Sequence, residues 1–103
     1  MRTQYTPTGT RVALDGDKLR GLRLSHGMTL SEVATVVGCS FAAIGHYERE
    51  AMMPGADAIN GLKRAFGDAL AESGALVVTT MAEIEAEHME RRFQERMDDE
   101  DAE

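Results

Sequence analysis

Three histidines and one cysteine are the side chains of this 103-residue chain best suited to holding a transition metal. Their spacing argues against it: His26, His46 and His88 share no ligand interval, and Cys39 has neither a second cysteine nor an HxxxH run beside it. No metal is expected. Cys39 cannot form an internal disulfide, and its place between Gly38 and Ser40 reads as that of a small buried hydrophobe. Nucleophilic chemistry finds no GxSxG, no Ser/His/Asp arrangement and no glycine-rich phosphate loop beside a strand. The expectation is a chain with no catalytic residues and no cofactor, not an enzyme.

The net charge of -7 and pI near 4.9 argue against an anionic partner, but the charge is divided along the chain. Residues 1–67 hold eight Lys/Arg against six Asp/Glu, whereas residues 68–103 hold three Arg against twelve acids, so +2 stands beside -9. The acid belongs to the C-terminal third. No apolar run of about 18 residues suggests a membrane span, and the N-terminus lacks the basic-then-apolar layout of a secretory signal. We expect a soluble, cytoplasmic protein with one core and an appendage, and no membrane partner.

These side chains must be placed by short helices. Residues 1–14 read as an arm carrying Arg2 and Arg11, with the option of a short strand at 12–14. Asp15 or Asp17 can cap a first helix whose Leu19, Leu22 and His26 share a face, stopped by Gly27. Thr29 and Glu32 form a capping-box pattern opening a second helix with Val33, Ala34 and Val37 as its apolar stripe, ending at Gly38. Ser40 caps a third helix in which Ile44 and Tyr47 face the same way. Two helices joined by about three residues containing Gly make a helix-turn-helix pattern.

Pro54 is placed to start a fourth helix with Ile59, Leu62 and Phe66 on one side, although Asn60 and Gly61 weaken it. Asp68 is positioned to cap a short fifth helix, and residues 74–79 fit either a linker or a short strand. Thr80 and Glu83 make a second capping box for a long amphipathic helix over 80–97, and 98–103 reads as an acidic disordered tail. The domain expected to carry function spans 15–73.

From Asp17 to Gly67, the stretch "LRGLRLSHGMTLSEVATVVGCSFAAIGHYERE" with Pro54 and "LKRAFG" resembles the Cro/C1-type (XRE-like) helix-turn-helix domain of phage repressors and bacterial transcriptional regulators. The resemblance implies an all-α, lambda-repressor-like fold of four to five helices, followed here by the long C-terminal helix. It implies that the third helix enters the major groove of double-stranded DNA, with Phe41, Ala42 and His46 at its base-reading positions. None of these is an Arg, Asn or Gln. His46 can donate to guanine, Phe41 and Ala42 can meet a thymine methyl, and Gly45 would let backbone approach the duplex. Phosphate contacts fall to Thr29, Ser40, Arg49, Lys63 and Arg64. Arg23 and Glu48 match a structural ion pair of the family.

Where family members often carry Gln, this chain has Leu30, which with Phe41, and with Val36 as a further candidate, would form an apolar patch suited to a protein partner. Met81, Ile84, Met89, Phe93 and Met97 are the expected homodimer interface. The leading expectation is a sequence-specific transcriptional regulator, a repressor of phage or mobile-element type acting as a homodimer. Its rival is a helix-turn-helix scaffold for protein interaction, such as an antitoxin, a phage accessory protein or a recombination directionality factor. There the apolar face or the acidic C-terminal helix would meet the partner.

Overall fold

The structure, a computed structural model, describes residues 1–7 and 9–86. Two strands, β1 (Arg2–Tyr5) and β2 (Arg11–Leu14), precede five helices: α1 (Gly16–Ser25), α2 (Leu30–Val37), α3 (Phe41–Glu48), α4 (Ala56–Phe66) and α5 (Ala69–Glu72). Strand β3 (Leu76–Thr79) follows, and residues 81–86 are again helical.

The purely all-α expectation is corrected by a three-stranded antiparallel sheet ordered β1-β2-β3. In β1–β2 Arg2 pairs with Leu14 and Tyr5 with Arg11, while in β2–β3 Arg11 pairs with Thr79 and Leu14 with Leu76. The segment read as an arm is therefore a β-hairpin, and the ambiguous residues before Thr80 form the strand that closes the sheet. Asp15 N–H extends this closure by donating to the Ala75 carbonyl at 2.9 Å. Pairing satisfies backbone groups that an isolated arm would leave to water.

Local caps open α1, α2 and α3 as their sequences suggest, whereas Asp68, at the N-cap of α5, makes no capping hydrogen bond. Asp15 accepts from Lys18 N–H, opening α1. Glu32 N–H donates to Thr29 Oγ1 at 3.1 Å and Thr29 N–H to Glu32 Oε1 at 3.2 Å, completing the box at α2. Ser40 Oγ accepts from Ala43 N–H at 3.2 Å to start α3. Gly38 ends α2 at φ +85, a left-handed conformation that glycine adopts without steric cost. Thr80 and Glu83 exchange the same reciprocal bonds at 3.2 and 3.3 Å. The remainder of the expected C-terminal helix, and the acidic tail, lie outside the described residues.

One core unites all of this. Leu14 of β2, Leu19 of α1, Val33 of α2, Ile44 of α3 and Leu62 of α4 are fully buried, with Leu70, Ala75 and Leu76 extending the cluster toward the sheet. Gly61, a helix-weakening residue in sequence terms, has a packing cause. A Cβ there would stand 2.7 Å from both Cα and O of Val37, so α4 rests directly on the backbone of α2. The closest approach involves Gly61, whereas Gly38 serves the helix end. Cys39 is half-buried against the core, and burial pushes its thiol up from the ordinary range. Burial first, then the neighbouring Cys39, pushes the phenol of Tyr47 up as well.

Candidate nucleic-acid interface

Helix α3 divides cleanly into two sides. Ile44 and Tyr47 enter the core, leaving Phe41, Ala42, His46 and Arg49 exposed. Ala42, His46 and Arg49 fall at i, i+4 and i+7 and share one face. Arg49 is the C-cap, with φ -91 and ψ 0, so it still lies on the helical surface.

The base of α3 is anchored by an ion pair. Arg23 Nε donates to Glu48 Oε2 at 2.6 Å and Arg23 Nη2 to Glu48 Oε1 at 3.1 Å, while Nη1 donates to the Met28 carbonyl at 3.0 Å. The side chains are only 11% and 8% exposed. This two-pronged geometry fixes α3 against α1 and the turn before α2, and the bond to Glu48 raises the Arg23 pKa further.

A second clamp was not legible in sequence. Glu50 has φ +58, uncommon for a residue with a Cβ, and its carboxylate accepts from Gly16 N–H at 3.2 Å at the start of α1. A Cβ at Gly16 would run into the Glu48 carbonyl. Arg2 Nη1 donates to the Glu50 carbonyl at 3.0 Å, so this arginine joins the end of α3 rather than extending from a free arm.

Donors gather at the helix starts. Thr29 and Ser40 each accept a capping hydrogen bond, which leaves their hydroxyl protons available to an anion. The first amides of α2 and α3 add the positive ends of the helix dipoles. Lys63 and Arg64 are exposed on α4. Lys63 lines clefts with Gln4, Val12, Leu76 and Val78, which places it by the sheet and not on the α3 row.

Beside the α2 start lies an open cleft of about 590 Å³ lined by Arg23, Met28, Thr29, Leu30, Ser31 and Phe41, with Leu24 at its edge. Phe41 is 61% exposed and Leu24 56%, so the expected apolar patch includes a residue of α1 that sequence reasoning missed. Leu24 sits beside Ser25 at the end of α1, off the Leu19–Leu22 stripe, and only the approach of three helices reveals it.

Gly45 is buried, and a Cβ on it would stand 3.2 Å from Arg49 Nη1. Arg49 Nη2 is also 3.3 Å from His46 Nδ1. The three residues form one unit on α3. Of the proposed dimer side chains, Met81 is exposed and Ile84 half-buried on the helical turn at 81–86. Met89, Phe93 and Met97 lie outside the described residues.

Among the described residues no group of three or more His, Cys, Asp or Glu could hold a metal ion, and no helix is long and apolar enough to cross a membrane.

Residues 19–67 match the family described as helix-turn-helix. The chain is 36% identical over 66 residues to a protein of Methanosarcina barkeri named by inference as an HTH-type transcriptional regulatory protein, a match covering 64% of this chain and 20% of the relative. A similarly named protein of Methanosarcina mazei gives the same identity and coverage. One of Pyrococcus abyssi is 36% identical over 62 residues, covering 60% of this chain and 20% of its own length. The chain thus spans about one fifth of the length of the curated relatives it matches. No solved structure matches it.

Proposed function

Because residues 19–67 form a helix-turn-helix domain of the Cro/C1 (XRE-like) type, we propose that this chain is a sequence-specific double-stranded DNA-binding transcriptional regulator without enzymatic activity. The observation that carries the reading is the exposed row Ala42, His46 and Arg49 on a helix whose opposite side is locked into the core. Such a helix presents donors to base edges in the major groove, while capped helix starts at Thr29 and Ser40 meet phosphates on either side.

The finer reading is a repressor of phage or mobile-element type. It acts by occupancy, as a homodimer on two half-sites, with the C-terminal helix joining the copies. Fluorescence anisotropy of the purified chain on its own promoter region and on scrambled duplex, across a salt series, tests it. Tighter binding to one sequence with a steep salt slope is expected, and no binding even at low salt refutes the proposal.

A second reading follows from the cleft at Leu24, Leu30 and Phe41. Exposed apolar side chains beside a helix start suit a protein partner, and a scaffold working in this way would not need DNA. Leu24→Gln, which spares the base-reading positions, separates the two. If the domain is a DNA reader, this variant keeps its salt-dependent duplex binding, and loss of that binding would count against it.

A further inference from the structure

Arg49 ends α3, where a long cation is ordinarily placed to meet a phosphate at the groove edge. Here its side chain turns back along the helix. Its Nη1 and Nη2 would lie 3.2 and 3.7 Å from a Cβ on Gly45, so a methyl at position 45 would press on the guanidinium and a larger side chain would displace it. Side chains on a helix lean toward its N-terminus, and this one carries its charge back one turn, level with Gly45.

His46 fixes the arrangement. A guanidinium can only donate, so the 3.3 Å contact between Arg49 Nη2 and His46 Nδ1 requires Nδ1 to accept. In the tautomer that accepts this bond, Nε2–H is a second donor on the same exposed face. No carboxylate among the described residues pairs with Arg49, so its other N–H groups remain for a ligand.

We propose that Arg49 is the principal base reader of this domain, taking N7 and O6 of one guanine in the major groove, with Gly45 and His46 as its positioning residues. The proposal rests on the DNA-binding reading above. It resolves the oddity of a reading helix whose first two residues are Phe41 and Ala42: the strong bidentate reader comes from the other end. A planar fork held by its neighbours matches the acceptor pair of guanine and has less freedom to lose on binding than a free lysine. Ala42 is small enough to leave the base edge open.

The test begins with selection of a fluorescein-labelled random duplex pool by the full chain. Anisotropy then compares the selected duplex with versions carrying adenine or 7-deazaguanine at each guanine. One guanine is expected to be required, its replacement weakening binding by about tenfold or more. Arg49→Lys keeps the charge and should retain non-specific binding while losing that preference. Gly45→Ala should lose the preference too, with a circular dichroism melt no lower than the parent's. If Arg49→Lys discriminates as the parent does, or Arg49→Ala weakens every duplex alike and lowers the salt slope by about one, Arg49 is a phosphate contact and the proposal fails. Failure of the parent to bind any duplex at low salt would instead overturn the DNA-binding reading itself.

Discussion

The guanidinium of Arg23 grips the carboxylate of Glu48 through two hydrogen bonds, of 2.6 and 3.1 Å, and its third nitrogen holds the Met28 carbonyl. Both side chains are largely removed from water, so deleting either leaves a charge without its partner. We expect Arg23→Ala and Glu48→Ala each to destabilise the fold by about 3 kcal/mol or more. Arg23→Ala with Glu48→Ala in one chain should lose less than the two single changes added together. Urea denaturation of the four chains in a double-mutant cycle checks this, and additive losses would count against coupling.

Two helix-interior glycines should respond oppositely to alanine. At Gly45 the added methyl meets the far end of a flexible side chain, so helix propensity dominates and stability should rise by about 0.5 to 1 kcal/mol. At Gly61 the methyl meets backbone of α2 at 2.7 Å, so α4 must move and stability should fall by about 1 to 3 kcal/mol. Thermal melts of both variants decide it. A stabilised Gly61→Ala would mean that the α2–α4 contact is looser than these distances imply.

That contrast shows where sequence reading succeeds and stops. Thr29, Glu32 and Ser40 declare their helices because a cap and its acceptor lie within three residues of one another. The Ile44–Tyr47 stripe declares the buried side of α3 in the same local way. Strand β1 declares nothing: every residue of it is exposed, so no alternation marks it, and only pairing with β2 makes it a strand. Strand β3 was undecided because its partner lies at the other end of the domain. Gly61 and Gly45 carry a visible penalty in sequence, while the reasons for them sit on Val37 and in the Arg49 side-chain conformation.

Alkaline pH should weaken the fold. Burial raises the Cys39 thiol above its ordinary 9.0 and the Tyr47 phenol above its ordinary 10.0, so the folded state favours both neutral forms. A group with a raised folded pKa contributes stability that is complete below its unfolded value and is lost as pH rises through the folded one. Stability should therefore hold below about pH 9 and decline above it. Cys39→Ala should flatten the first part of that decline. Denaturant midpoints measured from pH 7 to 11 report it, and a parent curve without a fall above pH 9 would contradict the buried setting.

Electrostatics outside the described residues should oppose DNA. Residues 98–103 contain five of the chain's acids, and negative charge tethered to a DNA-binding domain repels phosphate most when salt is scarce. Removing these six residues should tighten binding to scrambled duplex at about 50 mM salt and change little near 200 mM, where screening is stronger. Anisotropy titrations at the two salt levels measure the difference. Equal affinity of the full and shortened chains at low salt would show that the acid is held away from the duplex.

Self-association is the remaining expectation, and its chemistry is a periodic one. Met81 is exposed and Ile84 half-buried on the helical turn after β3, and Met89, Phe93 and Met97 would continue an apolar side if the helical repeat persists. An isolated amphipathic helix over 80–97 would be marginal in water, so its apolar side would need a cover, which a second copy would provide with two-fold symmetry. A charge at the centre of that contact would be buried twice, once from each copy. Phe93→Asp should therefore convert a dimer into a monomer by light scattering, with the far-ultraviolet signal of the domain retained. A dimer that survives the change would place the interface on another surface.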